Sequence, residues 1–356
     1  MGNAPALQAC FLSELALVEG VIRKEGPVTP KKDVEYIGDP FYSQDVVLQR
    51  QAEAGILHNS LVKEVEHISL GNYCMLSLAL KAIGLRKCSY PLDYTRCSSR
   101  GVIQLFRSQF AEFLTGTPVP HEDHGVTFHN TAWGGSFWHH DISKPDVSQA
   151  MQRRVDRLLG HAEIPSFHPR QFYRTVNSTD ELDLTFDLYN VLRRYYSGPV
   201  KLVTFVELQD GEGPIGLRNG GNEVLFYRIH HQHTMTDSQA VRINGFFQPI
   251  AFAIRYFAGE TLPLQEVDSL PEVKAMCDVI EGGNPAVGLF APSLIAQARS
   301  RGPGTTSKSV PPMLGYSSTP AAPDEANHSL FREVTACIDA NGFDMYEAEV
   351  STAVSR

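Results

Sequence analysis

A chain of 356 residues, 42% hydrophobic and 20% charged, has the length and apolar content for one large domain, or two smaller ones, with a sizeable core. Its formal net charge of −9, with no basic block that could track phosphates, argues against nucleic acid as a partner. The six cysteines (Cys10, Cys74, Cys88, Cys97, Cys277, Cys337) form no CxxC pair and no zinc-ribbon spacing, so they read as free thiols of a reducing, cytoplasmic compartment.

Residues 1–60 read as an N-terminal extension: a short amphipathic helix, then the turn-rich "GPVTPKKDVEYIGDPFYSQD". The first residues lack the basic start of a secretory signal, and Ala6 stands where a myristoylation signal wants Ser or Thr. No apolar run reaches membrane-spanning length, so no membrane partner is expected. The main domain is expected over 61–298. "VEHISL" predicts a strand, and "CMLSLALKAIG", apolar on nearly all sides, a buried helix. "SRGVIQLFRSQFAEFL" predicts an amphipathic helix, and "VTFHN" with "GGSFWHHDI" a hairpin turning at Gly134 and Gly135.

"DVSQAMQRRVDRLLG" follows as a helix, "RQFYRTV" as a strand, "TDELDLTFDLYNVLRRYY" as a helix and "VKLVTFVEL" as a strand. "NEVLFYRIH" closes the run as a strand and "FQPIAFAIRYFAG" as a helix. This alternation predicts a three-layer α/β domain, a mostly parallel sheet covered by helices. Residues 299–325, dense in Pro, Gly, Ser and Thr, predict a disordered linker, and 326–356 a helix and tail.

The cysteine after the Gly71-Asn72 turn raises the chemical question. With Asn72 as N-cap, Cys74 falls in the first helical turn, where unpaired N–H groups and the helix dipole favour a thiolate or an oxyanion. The competing reading is a packing thiol, since free cysteine is among the most buried residue types. A nucleophilic thiol needs a base, and "WGGSFWHHDISK" offers His139 and His140; on a strand only one would face the site. His230, His231 and His233 form a second cluster, with His231 and His233 on one strand face. No third ligand at a telling distance accompanies them, so neither a metal nor a cofactor is expected. Arg153, Arg154 and Arg174 suit either an anionic ligand or a solvated face.

"ISLGNYCMLSLALKAIGLRKCSYPLDYTRCS", followed in order by His140-Asp141, Arg153-Arg154 and "QFYRT", resembles a family of papain-like cysteine peptidases catalogued as a domain of unknown function. That family reads strand, Leu-Gly, two small or polar residues, Cys, helix, Pro-Phe-Asp-Trp, and then a His-Asp pair. The resemblance runs from about 65 to 208. It implies Cys74 as nucleophile, His140 as its base and Asp93 at the aspartate of the Pro-Phe-Asp-Trp element. Two departures stand out: Tyr73 where the family has Asn, leaving Asn72 as the amide candidate for the oxyanion, and Pro91-Leu92-Asp93-Tyr94 for the aspartate element. The family name also evokes a papain-like α+β fold as the alternative architecture. The expected function is a cysteine-dependent hydrolase or acyl transferase acting on a peptide, isopeptide or small-molecule amide. The alternative is a non-catalytic α/β binding module for a glycan, nucleotide-sugar or protein partner.

Overall fold

The computed structural model describes residues 40–280, apart from 122–124, 177, 219–220 and 235–237. The expected N-terminal helix, linker and C-terminal helix lie outside the described residues. Helix α1 (Gln44–Glu53) and the single turn α2 (Leu61–Glu64) lead into strand β1 (Glu66–Ser69) and helix α3 (Cys74–Ala82). Then come β2 (Thr95–Arg96), α4 (Ser99–Arg107), β3 (Thr117–His121), β4 (Gly125–Asn130), β5 (Gly135–Phe137) and α5 (Pro145–Leu159). Strand β6 (Arg170–Val176), α6 (Thr185–Tyr195), β7 (Val200–Gln209), β8 (Gly213–Leu217) and β9 (Val224–His230) follow. The short α7 (His231–Thr234) and α8 (Gln239–Asn244) precede α9 (Phe247–Phe257), β10 (Gln265–Val267) and α10 (Leu270–Ala275).

The main sheet has the order β1-β6-β7-β9-β8-β10. Strands β1, β6, β7 and β9 run parallel, β8 is antiparallel to β9, and β10 is parallel to β8. Strand alternation sends Phe172, Leu202, Val206 and Phe226 into one core with α4, α5 and α6. It sends Tyr173, Val203, Phe205, Leu225 and Tyr227 into a second core with α3, α8 and α9. Two covered faces explain why these strands read as nearly continuous apolar runs. The architecture is the expected three-layer α/β domain.

Several elements differ from the sequence reading. The helix from Ser99 stops at Arg107, because Gln109, Phe110 and Glu112 take positive φ; Phe110 and Phe113 are still buried. The segment from Thr179 opens as a 3-10 helix to Leu184 before α6 begins. The expected hairpin is present as β4 and β5, paired Phe128↔Phe137 and Asn130↔Gly135, with Gly134 at φ +69. It belongs to a four-stranded antiparallel sheet, β2-β5-β4-β3, whose outer strands carry no clear period in the sequence.

Residues from Phe41 pack on the end of α3: Arg50 donates to Phe41 O (2.6 Å) and Ala82 O (2.9 Å), and Gln51 to Ile83 O (2.8 Å). Among the described residues no helix is long and apolar enough to cross a membrane.

Candidate functional site

The site is built on the turn that joins β1 to α3. Leu70 is still in the sheet, its N–H donating to Tyr173 O at 2.8 Å. Gly71 (φ +79) and Asn72 (φ +87) then turn the chain through two consecutive left-handed conformations. Glycine adopts this freely, and asparagine is among the few other residues that tolerate it. A Cβ at Gly71 would sit 3.1 Å from Cys97 Sγ and from Thr95 O, so the segment from Leu92 to Cys97 packs directly on the turn. The Asn72 backbone N–H points to Cys97 Sγ.

Asn72 is not the N-cap. Tyr73, extended at φ −169, holds that position, and Cys74 is the first helical residue. The left-handed turn uses up one residue more than the simple cap would. Asn72 is fully buried, and neither its amide oxygen nor its amide nitrogen has a hydrogen-bond partner among the described residues. Along α3 every residue is buried except Cys74 and Lys81, both half-buried. Cys97 and Cys277 are buried.

A second segment is brought in by the small sheet. Thr95↔Phe137 and Arg96↔Ser136 pair antiparallel, which sets Asp93 and Tyr94 alongside the residues that follow β5. His139 and His140 lie beyond the end of β5, so strand alternation does not separate them. Both rings approach Tyr94, at centroid distances of 6.0 and 5.7 Å.

Arg154 Nη1 stands 3.4 Å from His140 Nε2. A guanidinium can only donate, so Nε2 is the accepting nitrogen of a neutral ring. Burial, then the charges of Arg154 and His139, push the His140 pKa down to about 3. Asp93 Oδ2 accepts from the Tyr90 N–H (2.8 Å) and from Arg86 (3.5 Å). Its pKa is raised by burial, against the pull of Arg86, the Tyr90 N–H and Arg154. Arg154 thus acts on both Asp93 and His140 and is the side chain bonded to the imidazole.

Two further groups close the site, and the sequence reading missed both. The Tyr73 hydroxyl donates to Glu207 Oε1, which also accepts from Thr234 at 3.0 Å. Glu207 follows Val203 and Phe205 on the α3 face of β7, just where the register shifts and Leu208 takes φ +60. Burial raises its pKa. Arg242 of α8 lies with its Cζ 5.6 Å from the Tyr73 ring centroid.

Opposite, the Arg96 guanidinium stacks on Trp138, Cζ 3.4 Å from the ring centroid, and the Trp138 indole donates to Ser136 Oγ (2.8 Å). The one sequence signal was Tyr73 itself, an aromatic where the motif has a small amide; its partner lies 134 residues away. Cys74 and Glu207 come from the carboxyl ends of parallel strands or the turns just beyond, where open α/β sheets hold ligands.

Other expectations resolve differently. Arg174 is buried, donating to Leu70 O (3.0 Å), Cys97 O (2.8 Å), Ser99 Oγ (3.1 Å) and Glu181 (3.0 Å). It ties β6 to the segment from Cys97, and is neither a solvated charge nor a ligand group. His231 and His233 sit in α7, not on a strand face, and His231 Nδ1 meets Asp210 Oδ1 at 3.4 Å. Among the described residues no three His, Cys, Asp or Glu side chains are grouped to hold a metal.

Residues 65–201 match the model of a family described as "putative papain-like cysteine peptidase". Curated proteins give no match to the chain, and solved structures give none either.

Proposed function

We propose, on the premise that residues 65–201 match a papain-like cysteine peptidase family, that this chain is a cysteine-dependent hydrolase or acyl transferase with Cys74 as nucleophile. The observation that carries this reading is the exposure of Cys74. It opens a helix whose other residues, save Lys81, are buried, and it is itself left half-open. A packing thiol in such a helix would be covered; a site thiol needs access and the positive end of the helix.

In this reading the Cys74 thiol proton passes to His140 as the sulfur attacks the carbonyl carbon of a peptide, isopeptide or amide. At 3.4 Å the Arg154 contact is long for a hydrogen bond, so the Nε2 lone pair is only weakly engaged and can accept that proton. The carbonyl oxygen becomes an anion, met by the first N–H groups of α3 and by the unpaired Asn72 amide. The His140 proton then goes to the leaving amine, the C–N bond breaks, and a thioester to Cys74 remains. Water, or an amine acceptor, attacks the thioester with His140 taking its proton; the acid or the new amide leaves and the thiol is restored. Asp93, bonded to Arg86 and the Tyr90 N–H, acts on the site only through its charge, which Arg154 feels.

A neutral imidazole beside a guanidinium also fits the second reading, a binding module with no catalysis. Acylation separates the two. With p-nitrophenyl acetate, peptide mapping of the full chain should find the acetyl group on Cys74. Cys74→Ser should lose it, and His140→Ala should slow it by about 10²-fold, the ordinary worth of a general base. Acetylation absent from Cys74 in folded protein would leave the binding module as the better account.

A further inference from the structure

Arg96 and Arg242 approach the Cys74 turn from opposite elements, β2 and α8. Arg242 Cζ stands 5.6 Å from the Tyr73 ring centroid, and Arg96 lies between Thr95 and Cys97, whose O and Sγ pack on Gly71 of the turn; its charge acts with Cys74. The two arginines are also close enough to oppose one another. Yet neither guanidinium makes a hydrogen bond or an ion pair among the described residues. Arg96 has only the face of Trp138, and the Nε of Arg242 is buried without a partner.

Two buried arginines elsewhere are, by contrast, tied to protein groups through several nitrogens, whereas no guanidinium nitrogen of Arg96 or Arg242 has a hydrogen-bond partner among the described residues. Arg174 makes bonds to Leu70, Cys97, Ser99 and Glu181, and Arg157 to Ser89 O and Glu163. Two repelling cations without an ion pair, one stacked in place on an indole and the other with only the charge of the buried Glu207 acting on it from a distance, are a cost to the fold that an incoming anion would reduce.

We propose that Arg96 and Arg242 form a subsite beside Cys74 that holds a carboxylate of the substrate, close to the carbonyl that Cys74 attacks. The proposal rests on the hydrolase reading above, since the anionic group that a peptide or amide substrate brings near its scissile bond is a carboxylate. Trp138 sets the plane of the Arg96 fork, and its own indole is fixed by Ser136. Burial holds the Arg96 pKa down at about 10, still well above neutral, so the cation is present when substrate arrives. Specificity for acidic substrates then comes from two cationic donors, the Arg96 fork being partly desolvated and oriented by Trp138, in a chain whose net charge of −9 would otherwise repel such substrates.

Two alkylating reagents that differ by a carboxylate read this directly. Iodoacetate and iodoacetamide attack the same thiolate, so the ratio of their rates at Cys74 cancels thiolate content and exposure. In the full chain at pH 7 and low salt, that ratio should exceed the ratio for a short uncharged cysteine peptide by about tenfold or more, the worth of one charge-assisted hydrogen bond. Arg96→Met and Arg242→Met should each return it toward the peptide value. Arg96→Lys, which keeps the charge and the fold but loses the fork, should fall between. A ratio equal to that of the peptide, or unmoved in both Met variants, would overturn the subsite while leaving Cys74 a nucleophile. Slow reaction of Cys74 with both reagents would instead remove the nucleophile reading, and the subsite with it.

Discussion

His140 is held neutral by its surroundings, and Arg154 is the neighbour that can be changed. With burial and Arg154 acting together its pKa lies at about 3, below the ordinary 6.5 of histidine. Arg154→Met removes the cation while keeping much of the side-chain volume, so His140 should titrate closer to 6.5, as followed by the ring carbon shifts in NMR. An unchanged pKa would mean that burial alone holds the ring neutral. The sign for stability follows. A folded pKa below the unfolded one gives stability that is present above pH 6.5 and lost as pH falls toward 3. The variant should therefore lose less stability than the wild type over that window. His67, bonded to Tyr173 and Leu61 O and lowered to about 4, contributes with the same sign in both proteins and cancels in the comparison.

At the scale of elements, the turn from β1 to α3 is the part most tightly specified. Gly71→Ala would need φ near +79 for a residue with a Cβ, and that Cβ would press on Cys97 Sγ, Thr95 O and Leu92 O at 3.1 to 3.3 Å. A destabilisation of about 2–4 kcal/mol is expected from strain and overpacking together, measurable by urea unfolding. A loss under about 0.5 kcal/mol would show that the turn relaxes.

The same turn shows what was legible in sequence. The strands at Glu66, Arg170, Val200 and Val224 and the buried helix at Cys74 were readable, since each is a local apolar run with a clear boundary. Strands β2 and β3 were not, because Thr95–Arg96 and Thr117–His121 owe their pairing to β5 and β4 rather than to any period of their own. Ser99 to Leu114 kept its helical pattern of burial while the helix itself ended at Arg107. In the site, Cys74, Asp93 and His140 stood in a recognisable order along the chain. Glu207, Thr234, Arg96 and Arg242 did not, since their meeting at the turn is a tertiary event between distant segments.

For the whole molecule, the main sheet carries the turn that follows β1 and the end of β7 to one edge, and the small antiparallel sheet supplies the segment that faces them. The account stands on Cys74 being the reactive thiol of that edge. Cys88 is an internal control, because it too is half-buried, so access alone does not separate the two. Burial raises the thiol pKa of Cys88 and Cys97, and that of Cys277 to about 11. The measurement is the rate at which iodoacetamide labels each of the six cysteines of the native chain at pH 7, resolved by peptide mapping. Cys74 is expected to be labelled first, about tenfold or more ahead of Cys88, because the helix N-terminus favours its thiolate while burial disfavours that of Cys88. Labelling of Cys74 at or below the rate of Cys88 would contradict the account.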